Sequence, residues 1–209
     1  MLSFLLKYNN CQIPSAVGRD ARSPAHVLQR QETGLLRPLA PQPRRAALPR
    51  RARPWLVMFG HRPMYCSNSD DVDCSVEYTR KGLPFLGLYS LEPLLKEYHV
   101  DLVVWAHEHS YERSWPLYDG RVYNGTEGAY VNPRAPVHVV TGSAGCQEDT
   151  DKFQRVPPEW SAFRSSDYGY TRLAADRTAI HIQQVDVDLR GQVIDSFTIV
   201  KDRHVPFDV

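Results

Sequence analysis

Features that assign a function class by themselves are mostly missing from this 209-residue sequence. No apolar run approaches the length needed to cross a bilayer, so no transmembrane segment is predicted. The glycine-rich stretch at residues 142–145 is not followed by Gly-Lys-Ser/Thr, which excludes a P-loop. No internal repeat is present, which excludes a repeat architecture. The four cysteines lack the spacing of a zinc site: Cys11, Cys66, Cys74 and Cys146.

The two parts of the chain differ in charge. Residues 1–54 hold ten basic and two acidic residues, a net charge of +8, whereas the remainder holds 15 basic and 22 acidic residues, a net charge of −7. Seven of the sixteen prolines lie in residues 1–54, and proline removes a backbone donor and interrupts helices. We therefore predict a disordered, basic Pro/Arg-rich leader over residues 1–54 and a folded domain over residues 55–209.

The basic tract of the leader contains no aromatic residues between its charges, so no nucleic-acid partner is predicted. An alternative start or a mispredicted exon accounts for the leader better. Met1–Lys7 begins like a signal peptide, but its apolar stretch is too short and it lacks a basic region before it.

Two short features favour an oxidising, secretory compartment. Cys66 and Cys74 are close enough in sequence to close a small loop as a disulfide. Asn124 begins an Asn-Gly-Thr sequence, which is a glycosylation acceptor in a secreted chain.

Two histidines follow a short apolar run. Leu102–Trp105 contains two valines and a tryptophan, which fit a buried pleated strand. His107 and His109 come shortly after it, at a strand's carboxyl end, where α/β proteins place their chemistry. Taken alone, this His-x-His is equally consistent with a polar loop that carries two solvated histidines.

A second apolar run also ends near a histidine. Pro54–Phe59 predicts a strand that leads to His61, and Leu91–Tyr98 has the apolar spacing of a helix between the two strands. Such a strand–helix–strand unit is normally parallel, so both strands end at the same edge of the sheet. The sequence therefore predicts that His61, His107 and His109 meet there as a metal site, because neutral imidazole is the commonest metal ligand.

The predicted helix contacts the sheet through its apolar positions. Ser90 is the expected N-cap, and Pro93 falls in the first turn, where proline is tolerated. The side chains predicted to face the sheet are Leu91, Leu94, Leu95 and Tyr98.

The rest of the chain predicts further strands. Residues 111–124 indicate a hairpin around Asp119-Gly120, and residues 136–141 indicate a buried strand. His138 alternates with valines in that strand and is predicted to be a strand residue, not a ligand. Three closing strands of an antiparallel sheet are predicted at residues 168–174, 179–185 and 192–200. The fold class is thus α/β, with a strand–helix–strand unit and closing antiparallel strands.

These motifs resemble the carboxyl-terminal half of the purple acid phosphatases, which are binuclear metallophosphoesterases. The resemblance is carried by Gly60-His61, Ala106–Arg113, Thr141–Gly145 and residues 161–173, and it extends from about Pro54 to Phe197. It implies part of a metallophosphoesterase sandwich and an acid phosphatase activity on phosphomonoesters. It also implies a secreted or lysosomal glycoprotein.

The resemblance assigns roles to the three histidines. His61 corresponds to the fourth of the family's five metal-ligand blocks, and His107 and His109 to the fifth, in which Ala106 replaces glycine. His61 and His107 are thus expected to bind a divalent ion (zinc, iron or manganese), and His109 a ferric ion. No Gly-Asp dipeptide occurs in the sequence and no Asn precedes His, so the first three blocks and their anionic ligands are missing.

Two hypotheses for function follow. The first is an acid phosphatase that uses metal-bound hydroxide. The second is a non-catalytic, truncated isoform that binds at most one metal ion weakly. The second is favoured for this chain, because two ions about 3.5–4 Å apart need anionic ligands and three imidazoles carry no charge. No catalytic residue is predicted beyond the metal ligands, and the oligomeric state is left open.

Overall fold

The computed structural model describes residues 2–6, 54–69, 72–75, 77–83, 89–145, 148–202 and 207. Two short helices, a 3₁₀ turn and eleven strands lie in these residues. Their bounds are β1 Leu2–Leu6, β2 Val57–Phe59, the 3₁₀ turn Asp73–Ser75, α1 Tyr78–Lys81, α2 Glu92–Glu97, β3 Leu102–Trp105, β4 Tyr111–Ser114, β5 Leu117–Tyr118, β6 Arg121–Val122, β7 Val137–Thr141, β8 Ser161–Ser165, β9 Gly169–Ala175, β10 Ala179–Asp186 and β11 Gln192–Val200.

The first sheet has five strands in the order β2-β3-β7-β4-β8. Strands β2, β3 and β7 are parallel, and β4 runs antiparallel to both β7 and β8. The predicted parallel unit is confirmed, since β2 and β3 pair in parallel and α2 lies between them in the chain. Both strands therefore end at the same edge, which is the edge that carries the histidines.

The second sheet has four antiparallel strands in the order β1-β9-β10-β11. Its last three strands confirm the predicted closing sheet. Strand β1 was not predicted: it lies in the supposed leader, and its backbone pairs with β9 from Leu2↔Ala175 to Leu6↔Thr171. The prediction of disorder for residues 7–53 falls on residues outside the described part of the chain.

The hydrophobic core has two clusters, one on each face of the first sheet. On β3, Leu102 and Val104 face the cluster shared with the second sheet, whereas Val103 and Trp105 face the cluster beneath α2. Both faces are thus covered, which explains why this strand is a continuous apolar run. The second sheet contributes Leu173, Ile180, Ile182, Phe197 and Ile199 to the shared cluster.

Helix α2 corrects the predicted packing face. Of the four side chains predicted to face the sheet, Leu95 is buried, whereas Leu91, Leu94 and Tyr98 are exposed by 37%, 44% and 59%. The other inward position of this six-residue helix belongs to Glu92, which is 5% exposed.

The carboxylate of Glu92 explains that rotation of the helix. It accepts hydrogen bonds from the Tyr65 hydroxyl and from the backbone N–H of Asp119. The predicted N-cap is also wrong: the N-cap position is Leu91, and the Ser90 hydroxyl donates instead to the backbone oxygen of Arg80.

The predicted hairpin is only partly correct. Strand β4 joins the first sheet, and the hairpin is reduced to β5 and β6 around Asp119-Gly120. Both turn residues have positive φ, 45° and 71°, which is typical of a type I′ turn. Strand β8 was missed. No helix within the described residues is long and apolar enough to span a membrane.

Candidate metal centre

Backbone pairing places His61 next to the segment that follows β3. Beyond the last register pair of β2 and β3, Gly60 N–H donates to the oxygen of Val104 at 2.9 Å. Ala106 N–H then donates to the oxygen of His61 at 3.1 Å. The ladder therefore continues into the site, and His107 begins the turn beyond it with φ of +69°.

The imidazoles of His61 and His107 are in direct contact. His107 Nδ1 lies 3.1 Å from His61 Nε2, and the rings meet edge-on with centroids 4.9 Å apart. Two nitrogens bound at 2.0–2.1 Å to a tetrahedral ion lie about 3.3 Å apart. The observed 3.1 Å is the length of a hydrogen bond between the two rings and is also close to the separation of two ligands of one ion. The His61 side chain is exposed to solvent.

The surroundings of His61 favour its neutral form. Partial burial lowers the pKa of His61 below its usual 6.5, and the positive charges of His107, Arg62 and His109 lower it further. A neutral imidazole has a free nitrogen lone pair, which is the form that binds metal ions.

Asp151 fixes the backbone of His109 through two hydrogen bonds. Its N–H donates to Asp151 Oδ2 at 2.5 Å, and its oxygen accepts from Asp151 N–H at 3.1 Å. Its side chain does not form a close triplet with the other two imidazoles in the described residues. The structure thus brings His61 and His107 together, with His109 near enough to act on the pKa of His61.

The close ligand triplet found within the described residues is Cys66, Cys74 and Glu108, whose ligand atoms lie within 4.8 Å of one another. Cys66 and Cys74 form a disulfide, with Cα atoms 5.0 Å apart, which is the pairing that the sequence left possible. Because both sulfurs are bonded, no thiolate is present to bind a metal ion. This triplet is therefore a packing contact of Glu108, not a metal site.

The glycine loop after β7 supports the histidine segment from another side. Gly142 N–H donates to the oxygen of Ser110 at 3.1 Å. A Cβ atom at Gly142 would lie 2.0 Å from the oxygen of Glu108. Only glycine permits this close backbone approach.

His138 lies in a strand, as the sequence indicated, whereas Asn124, predicted at the end of the hairpin, lies in the loop after β6. His138 is a buried residue of β7, and its Nδ1 accepts a hydrogen bond from Trp105 Nε1 at 3.0 Å. Asn124 is exposed, and its backbone oxygen accepts from Arg134 Nε.

The residues at this edge fit one divalent ion and do not fit a ferric–divalent pair. No His, Cys, Asp or Glu of the described residues completes a close triplet with His61 and His107. Two cations less than 4 Å apart need anionic ligands between them, and imidazoles provide none. Asp70 and Asp71 of the neighbouring loop lie outside the described part of the chain.

Sequence reasoning missed two residues beneath the site, Ser67 and Glu112. Glu112 is 2% exposed, and its carboxylate accepts from the backbone N–H and the hydroxyl of Ser67. A glutamate within a short strand-forming stretch was the available signal, since a charged side chain is rarely buried without partners.

Two protein families match parts of the chain. The family described as calcineurin-like phosphoesterase matches residues 25–111. The family described as iron/zinc purple acid phosphatase-like protein C matches residues 135–196. The first match includes all three histidines.

Curated relatives and a solved structure agree with these matches. The chain is 54% identical to acid phosphatase type 7 of Danio rerio over 75% of its own length, and 50% identical to that of Homo sapiens over 84%. It spans 37% and 40% of the length of these relatives. A purple acid phosphatase from yellow lupin seeds superimposes with a TM-score of 0.62 and 29% identity, over 75% of this chain and 26% of that one.

Proposed function

The chain belongs to the purple acid phosphatase family, and we propose that His61 and His107 bind a divalent metal ion of a phosphomonoester-hydrolysing site. The observation that supports this proposal is the 3.1 Å contact between His107 Nδ1 and His61 Nε2 at the ends of two parallel strands. Zinc is the metal we propose for the pair, because it accepts imidazole ligands in tetrahedral geometry. The family resemblance would assign His109 to a second, ferric position, but no close ligand group of the described residues contains His109, so the proposal covers one ion only.

The side chains at this edge have separate tasks in that proposal. A bound metal ion lowers the pKa of water and polarises phosphoryl oxygens. Burial and nearby positive charges lower the pKa of His61, which favours the neutral form that binds a metal ion. Asp151 holds the backbone of His109 through two hydrogen bonds, which keeps the histidine segment in place. The cationic surroundings favour an anionic substrate such as a phosphomonoester.

A second proposal concerns the 209-residue chain on its own. We propose that it binds one divalent ion and does not hydrolyse phosphomonoesters. The support is the ligand set: the sequence has no Gly-Asp and no Asn-His dipeptide. In addition, no carboxylate of the described residues joins His61 and His107 in a close triplet. An Arabidopsis thaliana relative that is 32% identical over 75% of the chain is named probable inactive purple acid phosphatase 27.

Hydrolysis of p-nitrophenyl phosphate at pH 5 separates the two proposals. We expect no turnover above background, with or without added iron and zinc, and the same result for His107→Ala. Turnover by the chain that is lost in His107→Ala would show that a further carboxylate completes the site, with Asp70 and Asp71 as the first residues to replace.

We further propose that the chain is a secreted glycoprotein with its glycan on Asn124. Asn124 is exposed in a loop, and the chain contains the Cys66–Cys74 disulfide; both features are typical of secretory proteins. Expression in a secretory cell line is expected to yield a product whose mobility rises on enzymatic deglycosylation. Asn124→Gln should remove that shift, and an unchanged shift would exclude this site.

A further inference from the structure

We propose that Glu112 is a positioning residue: it ties the segment that carries His107 to the segment that follows His61, and so sets the spacing of the two imidazoles. This inference rests on the proposed binding of a divalent ion by His61 and His107. It concerns a residue of β4, the strand that directly follows the histidine segment, and this residue is not one of the proposed metal ligands.

The residues from 107 to 112 include two at the open edge and others that are buried. His107 and His109 lie half-buried at the open edge. Glu108, Ser110 and Glu112 are 2%, 0% and 2% exposed, so three side chains of this turn and of the following strand β4 are directed inward.

Each of the three inward side chains meets the segment after His61. The Glu108 carboxylate lies within 4.8 Å of both sulfurs of the Cys66–Cys74 disulfide. The Ser110 hydroxyl and the Asn68 side chain are hydrogen-bonded at 3.1 Å. Glu112 binds the residue between these two contacts, Ser67, and does so at two points.

Glu112 makes the strongest of these ties because it is a carboxylate with three donors. Oε2 accepts from Ser67 N–H at 2.8 Å, and Oε1 accepts from Ser67 Oγ at 2.6 Å and from Ser161 Oγ at 2.6 Å. Burial raises the pKa of Glu112, and the hydrogen bonds from Ser161 and Ser67 oppose that rise. When the carboxylate is ionised, these hydrogen bonds are about twice as strong as those between neutral groups. The carboxylate of Glu112, in β4, thereby connects β4 to two other parts of the chain: the segment that follows β2, through Ser67, and strand β8, through Ser161.

The hydrogen bond from the backbone N–H of Ser67 requires an acceptor at the position of the Glu112 carboxylate. An apolar side chain of similar size could fill the space of Glu112, but it could not accept from Ser67 N–H. The buried amide would then lack its partner, and the segment would have to move to find another one. Ser67 lies six residues after His61, so such a movement is transmitted along a short connection that the disulfide constrains at Cys66.

Cobalt binding provides the test, because Co²⁺ bound to imidazoles absorbs in the visible range. Titration of the metal-free chain gives an affinity without any need for enzyme activity. We expect Glu112→Gln to weaken Co²⁺ binding by about tenfold or more, the effect typical of residues that orient metal ligands. Ser161→Ala, which removes one donor and leaves the Ser67 tie, should have an effect of about threefold.

Asp101→Asn is the matched control. Asp101 is an equally buried carboxylate, 2% exposed, at the opposite end of β3, where it accepts from Leu56 N–H and Lys201 Nζ. Its replacement should lower stability and leave Co²⁺ affinity within about twofold of the unmodified chain, because it does not touch either histidine segment. A loss of affinity as large as that of Glu112→Gln would attribute the effect to general destabilisation and overturn the proposal.

The remaining outcomes are also decisive. If His61→Ala abolishes Co²⁺ binding and Glu112→Gln leaves it unchanged, the positioning role is wrong and the metal site stands. If the unmodified chain binds no Co²⁺, both the metal site and the positioning role fail. If Glu112→Gln does not fold, Ser67→Ala and Ser161→Ala replace it, and unchanged affinity in both overturns the proposal.

Discussion

Charged groups are arranged differently in two regions of the molecule. One region lies between the two sheets, and the other is the histidine edge. Between the sheets, the Arg113 guanidinium donates from Nε and Nη2 to the two carboxylate oxygens of Asp195 at 2.7 and 2.9 Å. Tyr111 donates to the same carboxylate at 2.8 Å. At the histidine edge, by contrast, groups of like charge gather, and their positive charges lower the pKa of His61.

This difference separates a structural charge from a functional one. The ion pair between Arg113 and Asp195 has both its partners within the chain. Its interaction energy therefore stabilises the fold and needs no ligand. At the histidine edge basic groups lie together, and no carboxylate of the described residues forms a close triplet with His61 and His107. We expect ligand binding to stabilise this arrangement. Perturbing the first region should change stability, and perturbing the second should change metal binding.

The largest stability effect is expected for Asp195→Asn. This substitution leaves the buried Arg113 guanidinium without its ionised partner, which costs about 3–5 kcal/mol. Urea denaturation followed by circular dichroism measures the change. Glu127→Gln, at an exposed position, is the control and should stay within about 0.5 kcal/mol. A loss below about 1 kcal/mol for Asp195→Asn would contradict the structural role of the pair.

The pH dependence of stability should report His138. Burial lowers the pKa of His138 from 6.5 to about 3. Between these two pH values His138 is protonated in the unfolded chain and neutral in the folded chain. Stability therefore falls as pH falls from 6.5 towards 3, by up to about 1.4 kcal/mol per pH unit, or about 2 kcal/mol from pH 6.5 to 4.5. Denaturation at several pH values measures this slope, and His138→Gln should reduce it. Equal slopes in the two proteins would exclude His138 as the source.

Gly60→Ala tests the junction of the histidine edge with the core beneath α2. A Cβ atom at Gly60 would lie 2.2 Å from the Trp105 ring, and that ring is buried and hydrogen-bonded to His138. The clash should cost about 1–3 kcal/mol and move His61, so stability and metal affinity should fall together. Thr126→Ala, at an exposed position, is the control for an added or altered side chain at the surface. Gly120→Ala is not used because Gly120 has positive φ, which would add backbone strain. Unchanged affinity would show that His61 tolerates a displaced backbone.

The smallest stability effect is expected for His61→Ala. The side chain is exposed, so its removal should change the free energy of unfolding by less than about 0.5 kcal/mol. The same substitution should abolish divalent metal binding. A large loss of stability in the metal-free protein would show that His61 is part of the structural framework and would remove the contrast between the two regions.

The sequence predicted those parts of the fold that follow from local pattern. Apolar runs identified β2, β3 and β7, and strand alternation identified β9 to β11, because side-chain periodicity reflects burial. The parallel unit then followed from the handedness of strand–helix–strand connections. The close contact of His61 with His107 is a consequence of these two elements.

The parts that were missed depend on long-range contacts. The face of α2 is set by Glu92, whose partners Tyr65 and Asp119 are 27 residues away in either direction. Strand β1 needs β9 as a partner more than 160 residues away. The role of Glu112 also requires knowing that Ser67 and Ser161 converge on it, which no local pattern contains.

Metal content of the purified chain tests the central claim most directly. After equilibrium dialysis against zinc and iron, we expect one divalent ion per chain, lost in His107→Ala, and no purple colour. The reason is that His61 and His107 fit two ligands of one ion, while no described carboxylate completes a close triplet with them. Two tightly bound ions per chain would contradict this account.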